Sequence, residues 1–322
     1  MPGETAHSTV LTLPDRCAPS FWRRQQNISH PTGFTEYCGR SRLREIILVD
    51  TSVRAPLASS VSPGSQDSLI NTPIGLLRIP RASFSGAHPI DLSLVVPTYN
   101  EADNIRPFLR ALKETLEPLL GNRYELLVVD DDSPDRTWEI AAGLTASIPQ
   151  LRVMRRIGEP ELSSAVIRGW QAARGWILGT VNADFQHPPS LLGEMLAKIQ
   201  HSDLVIASRF ARSAGVGGWP IGRRLIAIVA RQLGRCVVPD VFRRVSDPLS
   251  GYYLIRRRAV EDAEFHPTGF KSLIEVLARV DVEKIEECGY RMRRRERGKS
   301  KLGLRDCSRF FVHLQRLRKA VR

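Results

Sequence analysis

Between residues 92 and 209 the chain returns five times to a strand-forming stretch that runs straight into a polar turn. These are LSLVVP (92–97), ELLVVD (125–130), RVMRR (152–156), WILGTVNAD (176–184) and DLVIASR (203–209). Amphipathic helical segments lie between them, at 104–120, 135–146, 162–174 and 189–200. Most of these stretches lack apolar/polar alternation, so they belong to strands buried on both faces. Strands joined by helices of this length pair in parallel through right-handed crossovers. The repetition therefore predicts an α/β fold, a mostly parallel sheet with helices on both faces. In such sheets ligands bind beyond the carboxyl ends of the strands, so functional residues are expected directly after each apolar run.

Polar residues of the expected kind stand there. Thr98, Tyr99, Asn100 and Glu101 follow the first run, and Asp130, Asp131, Asp132, Ser133, Pro134 and Asp135 close and follow the second. The fourth ends in Asn182, Ala183 and Asp184, followed by Phe185, Gln186 and His187. No GxGxxG or P-loop occurs at these turns, which argues against a dinucleotide oxidoreductase and a Walker-type nucleoside triphosphatase.

Charge narrows the partner class. Lys and Arg number 47 against 34 Asp and Glu, a net +13, which calls for an anionic partner. Residues 291–322 hold 13 basic and 2 acidic residues, so this stretch carries +11 of that total and the rest is nearly neutral. With 42% apolar and 25% charged residues, collagen-like, wholly disordered and multi-span membrane classes are excluded. Five cysteines, an odd number without a CxxC pair, suggest neither a disulfide framework nor a zinc ribbon and fit a reducing compartment. No run approaches the roughly 18 apolar residues that span a bilayer, and the N-terminus lacks a signal-peptide stretch. Residues 1–88, with scattered Pro, Ser, Thr and Gly, are expected to form a disordered or weakly structured extension. The α/β domain is expected over 89–301, and a basic amphipathic helix over 302–322.

Two turns carry candidate chemistry. In NADFQHPP (182–189), side chains two apart in extended chain point the same way, so Asn182, Asp184 and Gln186 can present three oxygens to one side. Such a set suits Mg²⁺ or Mn²⁺ shared with substrate phosphates. The alternative is that Asp184 caps the helix opened by Pro188 and Pro189. In VVDDDSPD (128–135) three adjacent carboxylates repel one another, and ligand hydroxyls or amides would relieve them. That reading gives ribose or base recognition; the alternative is an Asx-type turn in which Asp132 and Ser133 cap the next helix.

PTYNEADN, YELLVVDDDSPDRTW, LSSAVIRG, NADFQHPP, ASRF, SDPLSGYYLIRR, GFKSLIEVL and RERGKSKLG occur in this order. With them, residues 91 to 305 resemble the family 2 glycosyltransferases, specifically the dolichol-phosphate mannosyltransferase and polyprenyl-phosphate branch. The resemblance implies a GT-A nucleotide-diphospho-sugar transferase fold over 89–301 and inverting transfer of mannose from GDP-mannose to a polyprenyl phosphate. It implies that Pro97, Tyr99 and Glu101 contact the nucleotide, with Val129 and Asp131 at ribose and base, and Ala183 beside them. Asn182, Asp184 and Gln186 become the Mg²⁺ or Mn²⁺ ligands. Arg209, Arg295 and Lys301 surround the diphosphate and acceptor phosphate, Arg223 or Arg224 and Lys271 are further candidates for the acceptor phosphate, and Asp247 positions the sugar or stabilises positive charge developing on its ring. The catalytic group is then Asp184, Asp247 and Arg209. The sequence departs from the family pattern at Asn182, where Asp is usual, at Lys299, where an acid is usual, and at Arg136, where Gly is common.

A polyprenyl acceptor requires contact with a bilayer. The segment 302–321 places Leu304, Phe310, Phe311, Leu314 and Leu317 among Arg and Lys, as an interfacial helix does, and 221–233 has a similar character. Peripheral docking at the cytoplasmic face of an anionic membrane is expected, directly or through a membrane-anchoring subunit; an ordinary helix packed on the core is the alternative. No aromatic RNA-binding signature or C₂H₂ spacing supports a nucleic-acid partner. Two other readings remain in view: UDP-glucose transfer to undecaprenyl phosphate, and a degenerate nucleotide-sugar-binding protein.

Overall fold

The apolar runs form strands whose successive side chains enter two different cores. Leu94 and Val96 face one cluster of buried residues and Val95 the other, and Val128 and Val129 divide in the same way. The computed structural model describes residues 48–49, 77–79, 90–158, 161–211, 214–215, 221–261, 263–293, 295 and 304–320. Of these, 48–49, 77, 221–225, 304–308 and 320 are described by main chain alone. In chain order the elements are β1 (Leu48–Val49), β2 (Leu77–Arg78), β3 (Leu92–Thr98), α1 (Ala102–Leu120), β4 (Tyr124–Asp130), α2 (Thr137–Ala142) and β5 (Leu151–Arg155). Next come α3 (Leu162–Ala172), β6 (Ile177–Thr180), α4 (Leu192–Ile199), β7 (Leu204–Ser208), α5 (Ile221–Val237), α6 (Pro239–Phe242) and β8 (Tyr253–Arg256). The last are α7 (Arg257–Val260), β9 (Glu264–Phe265), α8 (Ser272–Arg279), β10 (Ile285–Gly289) and α9 (Leu304–Ala320).

The main sheet has the order β1-β5-β4-β3-β6-β8-β7-β10. Strands β5, β4, β3 and β6 are parallel, β8 runs against both β6 and β7, and β10 lies parallel to β7. The α/β, mostly parallel sheet expected from the sequence is therefore present. From β3 the chain moves outward through β4 to β5, then returns to β6 on the other side of β3. That reversal opens a crevice at the carboxyl ends of β3, β4 and β6, where the three polar turns converge. Helix α3 closes tightly on the sheet there: a Cβ on Gly169 would lie 2.5 Å from Cγ2 of Val95, so even alanine would push helix and sheet apart.

Two pieces of the expected extension are paired into this domain. β1 runs antiparallel along the edge of β5, and β2 pairs antiparallel with β9. The buried Ile79 bridges Glu261, and the Arg78 carbonyl accepts a hydrogen bond from Gln171 Nε2 at 2.8 Å. The remainder of 1–88 lies outside the described residues.

The C-terminal segment is the helix α9, and three of the five apolar residues assigned to membrane contact are turned inward. Phe310, Leu314 and Leu317 are buried in the core, while Phe311 and Val312 are exposed. The physical reason is a polar anchor on the inner face. His313 Nε2 lies 3.0 Å from the buried Glu275 Oε2 of α8, and Phe310 packs against Phe270 with ring centroids 6.2 Å apart. Leu304 has no described side chain.

Candidate active site

Four non-glycine residues among those described have positive φ: Asn100, Asp132, Arg136 and Phe185. All lie in the turns that follow β3, β4 and β6. Left-handed backbone is costly for such residues, of order 1–3 kcal/mol each, and persists where surrounding contacts enforce it. Asn100 N–H donates to Ser133 Oγ at 2.9 Å, which ties the first turn to the second. The Phe185 ring meets Phe108 of α1 edge-on at 5.1 Å. Arg136 takes a φ of 60° at the position where glycine is common in the resembled family.

The three carboxylates of the second turn do not share one environment. Asp130 accepts hydrogen bonds from Thr98 Oγ1 (2.7 Å), Ser133 N (2.8 Å) and Ser133 Oγ (2.7 Å), so it staples the first two turns together. Asp132 pairs with Arg155, whose guanidinium lies 4.3 Å from the Trp138 ring centroid. The start of α2 is held by Asp135, whose Oδ1 accepts from Thr137 N at 3.1 Å. The N-cap position itself is Arg136, so neither Asp132 nor Ser133 caps this helix. Asp131 is buried; its Oδ2 accepts from Glu161 N at 2.8 Å and its Oδ1 lies 3.2 Å from Arg156 Nε. Burial, only partly offset by Arg156, pushes its carboxyl up to about 6. Val129 is buried in the core cluster beneath, so its side chain faces α3. Pro97 is the penultimate residue of β3, and Tyr99 is half-buried beside it.

In the third turn, Asp184 is buried and both of its oxygens are engaged. Oδ1 accepts from Gln186 N at 3.1 Å, and Oδ2 from Arg295 at 2.7 Å. Arg295 also lies 3.9 Å from Glu101 Oε1, while Glu101 Oε2 accepts from Asn104 Nδ2 at 2.7 Å. Glu101, Asp184 and Arg295, placed far apart in sequence, therefore meet. Gln186 exchanges two 3.2 Å hydrogen bonds with Arg293: its Nε2 donates to the Arg293 carbonyl, and its own carbonyl accepts from Arg293 N. Ala183 is buried in the core.

These residues suit a divalent ion. Asn182 Oδ1 is buried with no hydrogen-bond partner among the described residues, an oxygen left for a ligand. A Cβ on Gly251 would come within 2.9 Å of Asn182 Nδ2, so the glycine leaves room for that side chain. One carboxylate and two amide oxygens form a hard donor set of the kind Mg²⁺ and Mn²⁺ prefer. Among the described residues no group of three or more His, Cys, Asp or Glu could form an all-protein cage, so the remaining ligands would come from phosphate and water.

Beyond the third turn lies a second charged group. Arg209 holds Asp247 by three bonds: N to Oδ2 (3.0 Å), Nε to Oδ2 (2.7 Å) and Nη2 to Oδ1 (2.7 Å). Burial opposes ionisation of both, yet the fork-to-fork contact wins, with Asp247 held below the usual carboxylate range and Arg209 raised. Lys271 Nζ donates to the Leu249 carbonyl at 2.7 Å. The side chains of Arg223 and Lys301 lie outside the described residues.

The sequence reading did not single out His187, which sits between these groups. It is buried, and its Nδ1 lies 2.7 Å from the Tyr290 hydroxyl. Burial takes its pKa down to about 4, with Asp184, Asp247, Arg209 and Lys271 all acting on the ring, so it is neutral at physiological pH. Its signal was its place inside NADFQHPP. Arg156 and Tyr290 were likewise missed, because each is defined by a partner distant in sequence.

The family model for glycosyl transferase family 2 matches residues 93–274, more than half of the chain. Dolichol-phosphate mannosyltransferase of Pyrococcus furiosus is 39% identical over 229 residues, 71% of this chain and 64% of that protein. The chain therefore spans under two thirds of that relative's length. Dolichol-phosphate mannosyltransferase of Saccharomyces cerevisiae is 30% identical over 237 residues, 71% of this chain and 87% of that protein. Undecaprenyl-phosphate mannosyltransferase of Micrococcus luteus is 28% identical over 199 residues, covering 61% and 72%. With its polar turns gathered at one crevice of a mostly parallel sheet, the chain belongs to glycosyl transferase family 2.

Proposed function

We propose that this chain transfers mannose from GDP-mannose to a polyprenyl phosphate, with inversion, at the cytoplasmic surface of a membrane. The observation that carries the reading is the meeting of Glu101, Asp184 and Arg295 beside the unpartnered Asn182 oxygen at the crevice. The acceptor phosphate is already anionic at neutral pH, so the reaction needs no strong general base. The one buried histidine of the site is accordingly neutral and hydrogen-bonded to a tyrosine. What the reaction needs is positive charge where two phosphorylated molecules meet and where the leaving nucleotide gains charge.

In this reading Asp131 accepts a hydrogen bond from the nucleotide, with Pro97 and Tyr99 lining its seat and Val129 packed in the core beneath it. Asn182, Asp184 and Gln186 hold Mg²⁺ or Mn²⁺, which when bound neutralises the diphosphate as it leaves. Arg295 serves the diphosphate, a role the family resemblance extends to Lys301. Arg209, oriented by the fork contact with Asp247, and Lys271, oriented by the Leu249 carbonyl, are the cations for the acceptor phosphate, and Arg223 is a further candidate for it. Their charge requires no reorganisation as the reaction proceeds, which is the source of their effect.

Of the two segments the sequence offered for membrane contact, α5 and the outer face of α9 carry the exposed apolar side chains. Helix α5 exposes Ile226 (65%), Val229 (63%) and Ile228, and α9, which touches it, exposes Phe311 and Val312. Among the described residues no helix is long and apolar enough to cross a membrane. Apolar side chains beside the strongly basic 291–322 stretch fit an anionic interface, where each Lys or Arg adds up to about 1 kcal/mol.

The test is incubation of the full chain with GDP-mannose or UDP-glucose, Mn²⁺ and dolichyl phosphate in vesicles containing anionic lipid. Lipid-linked mannose is the expected product. Glucose transfer alone would replace the donor, and no lipid-linked sugar from either donor would overturn the proposal.

A further inference from the structure

We infer that Arg295 is a built-in stand-in for the divalent ion, seated on the ion's own carboxylate until ion and diphosphate arrive together. The inference rests on the reading of Asn182, Asp184 and Gln186 as ion ligands. Asp184 and Glu101 are both buried, and buried carboxylates require a counter-charge. The guanidinium of Arg295 meets that need by reaching Asp184 Oδ2 at 2.7 Å and lying 3.9 Å from Glu101. Asp184 Oδ1 meanwhile accepts from Gln186 N, so each oxygen of the carboxylate already holds one hydrogen bond without an ion.

The same segment engages the next ligand. Gln186 is clasped by Arg293 through two main-chain contacts, one of which uses its side-chain amide. Two of the three ion ligands are thus held by residues 293 and 295, while the third, Asn182, keeps an unpartnered oxygen. An ion entering alone would have to displace a well-formed charge-assisted hydrogen bond. An ion entering with a nucleoside diphosphate offers the displaced guanidinium a new anionic partner, and Arg295, with a fifth of its side-chain surface exposed, is not sealed inside the fold. Arg295 thereby suppresses ion binding in the absence of donor and turns to the diphosphate in its presence. It couples the two ligands as a positioning residue.

The experiment is Mn²⁺ binding to the full chain without nucleotide, read from the electron paramagnetic resonance signal of free Mn²⁺, with thermal melts of each variant alongside. Arg295→Met is expected to bind Mn²⁺ roughly tenfold or more tightly than the unaltered chain, the equilibrium scale of one charge-assisted hydrogen bond. Arg295→Lys, which keeps the charge but loses the fork, is expected to fall between. If the Met variant fails to fold, the Lys variant decides. Asp184→Asn is expected to abolish binding in every background. Equal or weaker binding in both Arg295 variants, with Asp184→Asn still abolishing it, would overturn the inference and leave the ion site standing. No effect of Asp184→Asn would overturn both. Absence of Mn²⁺ binding in all variants would overturn the inference alone, and the GDP-mannose assay would then judge the function separately.

Discussion

The two ends of the sheet bury charge in opposite ways. At the amino ends of β3 and β4, Glu125 is buried and its oxygens accept from Ser93 Oγ (2.5 Å), Arg152 Nη1 (2.9 Å), Arg174 N (2.6 Å) and Arg174 Nε (3.0 Å). Desolvation opposes its charge, yet these partners together hold its carboxyl below the usual range. At the carboxyl ends a carboxylate is raised instead of lowered, although the amino end too leaves Arg152 Nε buried without a hydrogen-bond partner among the described residues. Asp131 is raised to about 6, and Asn182 Oδ1 and Arg156 Nη1 are buried without hydrogen-bond partners among the described residues. A charge satisfied by its own chain supports the fold, whereas polar atoms left short are groups a ligand can complete.

The largest effect should come from breaking the satisfied end. Glu125→Ala leaves Arg152, which is itself buried, without its carboxylate, and a loss of about 3–5 kcal/mol in unfolding free energy is expected in urea titration. A loss below about 1 kcal/mol would show that this end is not the structural one.

At the other end the expected loss is in rate. Asp184→Ala should reduce sugar transfer by about a hundredfold or more. Asn182→Asp, which adds a charge to the donor set, should preserve or raise activity and lower the Mn²⁺ concentration required. Equal loss in both variants would show that the ion site lies elsewhere.

The smallest effect concerns pH. His187 has a folded pKa of about 4 against an unfolded value of 6.5, so between these values the unfolded chain binds more protons. Its contribution therefore makes the folded state less stable as pH falls from 6.5 to 4. Asp131, raised to about 6 from 3.8, acts in the opposite sense across most of that window, because there the folded state holds the extra proton. His187→Gln should remove the first contribution only, so the variant should lose less stability than the parent on acidification. Parallel pH profiles would sink the assignment of a neutral buried His187.

Much of the frame was legible in the linear order. The continuous run 92–97 had to be a strand buried on both faces, and Leu94, Val95 and Val96 do enter alternate cores. Asp184 could be identified because NADFQHPP combines oxygen donors with a strand end. Other features were illegible for a common reason. Phe310 and Phe311 are neighbours in one amphipathic segment, and only the position of Glu275 on α8 decides that His313, and Phe310 with it, face inward. The carboxylates of 130–132 read as one repelling cluster, yet they turn to hydroxyls, to Arg156 and to Arg155 respectively, Asp132 through left-handed backbone.

The sequence by itself determined the strand order along the chain and the residues that stand at each strand's carboxyl end, because burial on two faces imposes a pattern that can be read locally. Only the tertiary structure decided which charges meet. Asp184 and Arg295 are 111 residues apart, and Tyr290 and His187 103 apart. Electrostatic and hydrogen-bond energies depend on distance through space, and a linear chain does not display that distance until its sheet has assembled.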